Sequence, residues 1–267
     1  MSFLDDLVAG AHRRVAAGKE LLTDDVLEQR LASATPARSL EAALVSPGVS
    51  LIAEIKRASP LKGPLDLDLD AGHLASTYAE AGASAISVLT EPDGFKGSLE
   101  DMGAALAAGI PVLRKDFVVD PWQVMESRAA GADAILLIVR VVGEALGSLL
   151  AASRSLGMDA LVEVHHEHEL DDALGAGATL IGVNHRDLTT FEVDPERTAK
   201  LAPLVPHECT VVALSGVSTR GEVEELEAAG ASAVLVGESL VTSPDPAAKI
   251  RELLGPRAAS AGRAEQP

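Results

Sequence analysis

The chain has 267 residues, 47% of them hydrophobic but only 2% aromatic, and a formal net charge of −18. That length suits one large α/β domain or two small ones with an Ala, Val, Leu and Ile core, while the charge repels nucleic acid and anionic membranes, so an anionic small molecule needs a local positive site. One cysteine, Cys209, excludes an intrachain disulfide, and neither a basic stretch before an apolar run nor a window of about 18 apolar residues is present, so the expected location is cytoplasmic.

Residues 1–49 read as an N-terminal helical extension, FLDDLVAGAHRRVAAGKELL and then TDDVLEQRLASA, with Thr23 a candidate N-cap for the second helix. The first strand is SLIAEIKR at 50–57. Side chains alternate along a strand, so Ile52, Glu54 and Lys56 share one face and Leu51, Ala53 and Ile55 the other. DLDLDAGH at 66–73 carries acids at alternate positions, like part of a calcium loop. Its glycine and a terminal glutamate are misplaced for that, and a solvated loop is the expectation.

A repeat organises the chain from residue 81 onward. AGASAISVLT (81–90), AGADAILLIV (130–139), AGATLIGVN (176–184) and AGASAVLVGE (229–238) each read as a helix end, a tight turn and a buried strand. Their glycines, at 82, 131, 177 and 230, are spaced by 49, 46 and 53 residues. PVLRKDF (111–117), DALVEV (159–164) and TVVALSG (210–216) join SLIAEIKR as the intervening strands. Helical patterns over 98–109, 120–131, 219–230 and 245–255 have Ser98, Asp120, Thr219 and Asp245 as N-caps, and Pro121 and Pro246 in first turns. Eight such units predict a closed (β/α)8 TIM barrel, with residues 1–255 as one domain including the extension and 256–267 as a disordered tail. A doubly wound open sheet is the alternative, but no G-x-G-x-x-G follows a strand.

In a barrel of this kind the site lies at the C-terminal strand ends. Glu54 and Lys56 end strand one, Lys115 and Phe117 strand three, Glu163 strand five, and Asn184 and Arg186 strand six. Each alone could be an ordinary rim ion pair; convergence from four strands points to chemistry. Ser215-Gly216 and Gly237-Glu238-Ser239 follow strands seven and eight, where backbone N–H groups commonly hold phosphate. Those glycines could instead only shape turns. EVHHEHEL (163–170) invites a metal reading for His165, His166 and His168, but it lacks the i, i+4 spacing of a zinc helix and reads as a polar loop entering a helix.

LIAEIKRASPLKG, SVLTEPDGFKGS, PVLRKDFVVDPWQ, LVEVH, IGVNHRDLTTFEVD and SGVSTRGE together resemble the signature segments of the indole-3-glycerol phosphate synthase family, from the extension to about residue 250. The resemblance implies a (β/α)8 barrel with helices near the mouth, converting a carboxyphenylamino deoxyribulose phosphate to indole-3-glycerol phosphate with loss of carbon dioxide and water. It implies no cofactor and no metal. By resemblance Lys115 is the general acid, and burial among Lys56 and Arg114 would make its proton easier to give up. Glu163 is the base or electrostatic partner of the later steps. Glu54 and Lys56 form a charged pair, with Lys56 holding the substrate carboxylate or phosphate or acting as a second acid. Asn184 and Arg186 orient the substrate, Phe95 and Phe117 wall its ring, and Ser215 and position 214 lie beside it. Ser59, Gly216, Gly237 and the backbone of Glu238 hold phosphate, together with Lys56.

One position departs from the pattern. The family usually reads ESG at strand seven, and this chain reads LSG, with Leu214 in place of a carboxylate. A diverged paralogue with weakened activity or a modified anthranilate-derived substrate is therefore the alternative reading. A Schiff-base aldolase using Lys115 or Lys56, and a non-catalytic phosphate-ligand binder, are more distant ones. The expected partner is the small phosphosugar–anthranilate substrate, not nucleic acid or membrane, and the chain is read as a monomer or weak homo-oligomer.

Overall fold

Eight parallel strands close on themselves in the order one, eight, seven, six, five, four, three, two. They are β1 (Ser50–Ile55), β2 (Ala85–Leu89), β3 (Val112–Lys115), β4 (Ala134–Ile138), β5 (Asp159–Val164), β6 (Leu180–Asn184), β7 (Thr210–Leu214) and β8 (Ala233–Val236). β1 pairs with β8 at Ser50↔Ala233 and with β2 at Ile52↔Ala85, which seals the barrel. This computed structural model describes residues 3–187 and 189–256. The tail expected at 256–267 lies outside the described residues from 257 onward.

The helices are α1 (Phe3–Leu21), α2 (Asp24–Ser33), α3 (Leu40–Leu44), α4 (Ala71–Glu80), α5 (Leu99–Ala105), α6 (Pro121–Ala129), α7 (Val139–Val142), α8 (Leu146–Ser155), α9 (Glu167–Gly175), α10 (Arg197–Leu201), α11 (Arg220–Ala228), α12 (Glu238–Val241) and α13 (Pro246–Leu254). Gly82, Gly131, Gly177 and Gly230 of the repeat all have φ between 83° and 107°. This left-handed turn, which lets α4, α6, α9 and α11 stop and the next strand begin, strains any residue with a Cβ.

The side-chain hydroxyls or carboxylates of Ser98, Asp120, Thr219 and Asp245 each accept a backbone N–H from the first turn of their helix, and Thr219 with Glu222 forms a reciprocal capping box. Thr23 is a correction: it precedes α2 in extended conformation, but its side chain makes no capping bond.

Strand alternation divides the core in two. Leu51, Ala53 and Ile55 pack outward, with Ile86, Val88 and Val112, against the helices. Ile52, Leu113, Leu161, Leu180, Val212 and Leu235 point inward and fill the barrel. The extension spans the barrel from end to end. At the bottom, Leu40 and Leu44 of α3 join the interior cluster, fixed by Ser39 Oγ to Asp159 Oδ2 at 3.0 Å and by the Arg38 backbone N–H to Asp133 Oδ1 at 2.8 Å. At the top, α1 lays Leu7 and Ala11 on the same cluster. Arg14 of α1 clamps it there, reaching Asp93 at 3.2 Å, Asp116 at 3.3 Å and Glu91 at 3.5 Å.

Candidate active site

The loops at the C-terminal ends of the strands enclose a cavity of about 400 Å³. Glu54 and Lys56 of the β1 segment, Lys115 of β3, and Asn184 and Arg186 of the β6 segment all line it. They converge because each sits on the inward phase of its strand, past the last apolar layer. Glu54, with its side chain only 6% exposed, stands between the two ammonium groups: its Oε1 is 3.1 Å from Lys56 Nζ and its Oε2 is 3.9 Å from Lys115 Nζ. Its charge offsets the repulsion that two neighbouring lysines would otherwise feel.

Arg114 does not belong to this group. It faces the opposite way, as strand alternation requires, and its guanidinium is buried against Asp116 at 3.0 Å and Glu126 at 2.8 Å, with Ser127 and Thr90 completing its bonds. Burial pushes the Asp116 carboxyl up, but Arg114, Thr90 and Arg14 outweigh it and hold it below its usual value. The expectation that Arg114 helps Lys115 release a proton is therefore corrected; the charged neighbour of Lys115 is Glu54.

Glu163 lies one layer back. It is 1% exposed and does not line the cavity. Asn184 Nδ2 donates to its Oε1 at 2.9 Å, while Asn184 Oδ1 accepts the Arg186 backbone N–H at 3.0 Å. Asn184 thus connects the buried carboxylate to the cavity wall.

Phe95 and Phe117 form part of the apolar wall, completed by Leu89 and Leu235 and roofed by Phe3, Leu4 and Leu7 of α1. Leu214, 1% exposed, belongs to this apolar part. It fills space left by Gly182 on β6, where an added Cβ would lie 2.9 Å from Leu214 Cδ1. Ser59, Ser215, Gly216, Gly237, Glu238 and Ser239 line the remaining rim. Ser215 and Gly216 take φ of 68° and 84° in succession, so a residue with a side chain holds a left-handed backbone at the turn after β7. Glu238 opens α12 directly after Gly237, and its carboxylate is drawn to Lys62 Nζ at 2.5 Å.

Several lining residues are not among those that the sequence singles out. Lys62 lies in the SPLKG segment, where a cation three residues after Ser59 is a readable signal. Phe3, Leu4 and Leu7 lie on one face of α1 by helical spacing. Phe191, which lines the cavity and packs on Phe3 with ring centroids 5.6 Å apart, comes from an irregular loop with no periodic signal. His165 and His166 form the short loop between β5 and α9, as the sequence reading expects, but the His165 side chain is wholly buried, while His166 and His168 stack at 5.6 Å. Among the described residues, no group of three or more His, Cys, Asp or Glu is placed to hold a metal ion. No described helix is long and apolar enough to cross a membrane.

A family model described as indole-3-glycerol phosphate synthase matches residues 4–253. The chain is 49% identical over 253 residues to the indole-3-glycerol phosphate synthase of Mycolicibacterium smegmatis, covering 94% of this chain and 93% of that one. It is 48% identical to the enzyme of that name from Kineococcus radiotolerans, with both chains covered completely. It is 49% identical to indole-3-glycerol phosphate synthase 2 of Streptomyces coelicolor, covering 94% and 98%. Among solved structures, a thiamine phosphate pyrophosphorylase from Pyrococcus furiosus superposes with a TM-score of 0.59 at 17% identity, covering 80% of this chain and 96% of that one, which is a likeness of fold. A matching family model over nearly the whole chain and full-length relatives near half identity, on a closed barrel whose charged strand ends meet in one cavity, place this chain in the indole-3-glycerol phosphate synthase family.

Proposed function

We propose that the cavity carries out ring closure of 1-(2-carboxyphenylamino)-1-deoxyribulose 5-phosphate, the carboxy-lyase step of tryptophan biosynthesis, with Glu54 and the two lysines beside it as the reacting centre. The placement of one buried carboxylate between Lys56 and Lys115 carries this reading. The aromatic carbon bearing the carboxylate attacks the ketone carbon, and Lys115 delivers a proton to the ketone oxygen as it becomes a hydroxyl. The ring is then cationic. Loss of the carboxylate as carbon dioxide neutralises it and restores the benzene ring, and departure of the hydroxyl as water, with a proton lost from the adjacent carbon of the new five-membered ring, completes the indole.

Glu163, behind Asn184, supplies negative charge to the cationic stage through that amide. Asn184 and Arg186 orient the substrate, Phe95 and Phe117 flank its benzene ring, and Ser215 and Leu214 border it. Ser59, Gly216, Gly237 and the Glu238 backbone, with Lys56 nearby, receive the phosphate. Residues 1–255 act as one domain. The active form is taken to be a monomer or weak homo-oligomer.

The experiment is the appearance of indole fluorescence when purified protein meets this substrate. Saturable turnover supports the reading; its absence from folded protein defeats it. A second reading rests on Leu214, whose apolar side chain in the cavity wall suits a paralogue adapted to a modified anthranilate-derived ring. Turnover confined to a ring-substituted substrate would favour it.

A further inference from the structure

His165 follows Glu163 by two residues, and its side chain is completely buried. The ring lies between two carboxylates: Nε2 is 3.6 Å from Glu163 Oε1, and Nδ1 is 3.4 Å from Glu169 Oε2 on α9. Neither ring nitrogen has a hydrogen-bond partner, nor has the buried Glu163 Oε2. Buried polar atoms left in that condition are costly unless they serve one another. Movement of a few tenths of an ångström brings either nitrogen within bonding range of its carboxylate.

The surroundings favour a shared proton. Glu169 also receives Arg140 Nε at 3.1 Å, and Arg140 reaches Asp187 at 3.2 Å. Burial pushes the Glu169 carboxyl up, but His165 and Arg140 outweigh it and bring it down to about 2. Glu169 is therefore a fixed anion at neutral pH on one side of the ring, with Glu163 on the other. Arg140 from α7 lies beyond Glu169, and His166 and Arg197 share its field. Asn184 from β6 is neutral and bonds the far side of Glu163.

We propose that His165 is a positioning residue for Glu163, a proton-sharing bridge to Glu169 that fixes the charge and orientation of Glu163 beneath the reacting ring. With both carboxylates ionised, the imidazolium gives Nδ1–H to Glu169 and Nε2–H to Glu163. When the Nε2 proton passes to Glu163, that carboxylate becomes a neutral acid and the ring a neutral imidazole still donating Nδ1–H to Glu169. Nothing else is gained or lost. The bridge thereby lets a wholly buried carboxylate stay charged without direct solvent.

The inference rests on the reading that Glu163 acts in the reaction, and two measurements separate the two ideas. His165→Asn keeps a polar group of smaller size. It is expected to move the acidic limb of the kcat profile to higher pH by about one unit, with KM changed less than about twofold. A lowered thermal midpoint with the limb unmoved would mean a merely structural histidine and would overturn the proposal. The second arm needs no turnover: the imidazole nitrogen shifts of His165 are compared by NMR at neutral pH in the unsubstituted chain and in Glu163→Gln. Loss of the Glu163 carboxylate is expected to move the Nε2 shift and to leave that of Nδ1, which faces Glu169. An unchanged Nε2 shift would refute the bridge even where His165→Asn fails to fold. Full turnover by Glu163→Gln, with the Nε2 shift moved, would instead sink the role of Glu163 and leave the bridge standing.

Discussion

Gly237 lies directly against Glu54: a Cβ added to the glycine would overlap Glu54 Oε1 and come within 3.1 Å of Glu54 Cβ. The loop after β8 and the carboxylate ending β1 therefore share one space. A side chain at 237 must displace the group that separates the two lysines. Gly237→Ala is expected to lower kcat by roughly 10–100-fold as well as to raise KM, because both the charge arrangement and the rim proposed to receive phosphate shift. Steady-state kinetics with the variant shown folded by circular dichroism checks this. A rise in KM alone would confine Gly237 to phosphate contact.

Lys115→Met removes the proposed acid while keeping a similar apolar stem. General acid catalysis contributes typically 10²–10⁴-fold, and kcat is expected to fall by about that factor. Product affinity by calorimetry should change far less. Near-normal turnover would move the acid to Lys56, the other ammonium within reach of Glu54.

Leu214→Glu places a carboxylate in the cavity wall, at the position where the family resemblance implies one. Leu214 lies in the interior apolar cluster, so the new charge lowers thermal stability. A charged hydrogen bond to substrate or lysine is worth about 1.5–3 kcal/mol, and turnover on the standard substrate is expected to rise roughly 10–150-fold. A fall in turnover would favour the adapted-paralogue reading.

Glu169 contributes to stability through its lowered carboxyl. From an ordinary value of 4.5 it is brought down to about 2. Its contribution is thus fully present above pH 4.5 and is lost as pH falls through about 2. Glu169→Gln is expected to cost about 1–2 kcal/mol at pH 7, with the difference shrinking below pH 4.5. Urea unfolding of both proteins from pH 7 to pH 3 measures it; a difference independent of pH would contradict the charge origin.

The barrel is readable because its signals are local. Each Ala-Gly-Ala marks a left-handed turn, and four caps sit where hydroxyl or carboxylate residues precede a helical pattern. The inward set of Glu54, Lys56, Lys115, Asn184 and Arg186 follows from strand alternation alone. The same alternation turns Arg114 outward onto Asp116 and Glu126, away from the Lys115 ammonium that its neighbouring position in the chain suggests it would touch. Glu163 sits behind Asn184 because β6 supplies a side chain across it, and no spacing within one strand reports that. The His165 bridge depends on Glu169 and, through it, Arg140, which enter from two different helices. Polar residues in a run such as EVHHEHEL look solvated until the elements that cover them are known.

Substrate labelled with ¹³C in its carboxylate tests ring closure and decarboxylation together. Folded protein is expected to release labelled carbon dioxide and to form indole-3-glycerol phosphate in equal amounts, and Lys115→Met to lose both together. Folded protein that binds this substrate but yields neither product, or label released without ring closure, would contradict the proposed reaction.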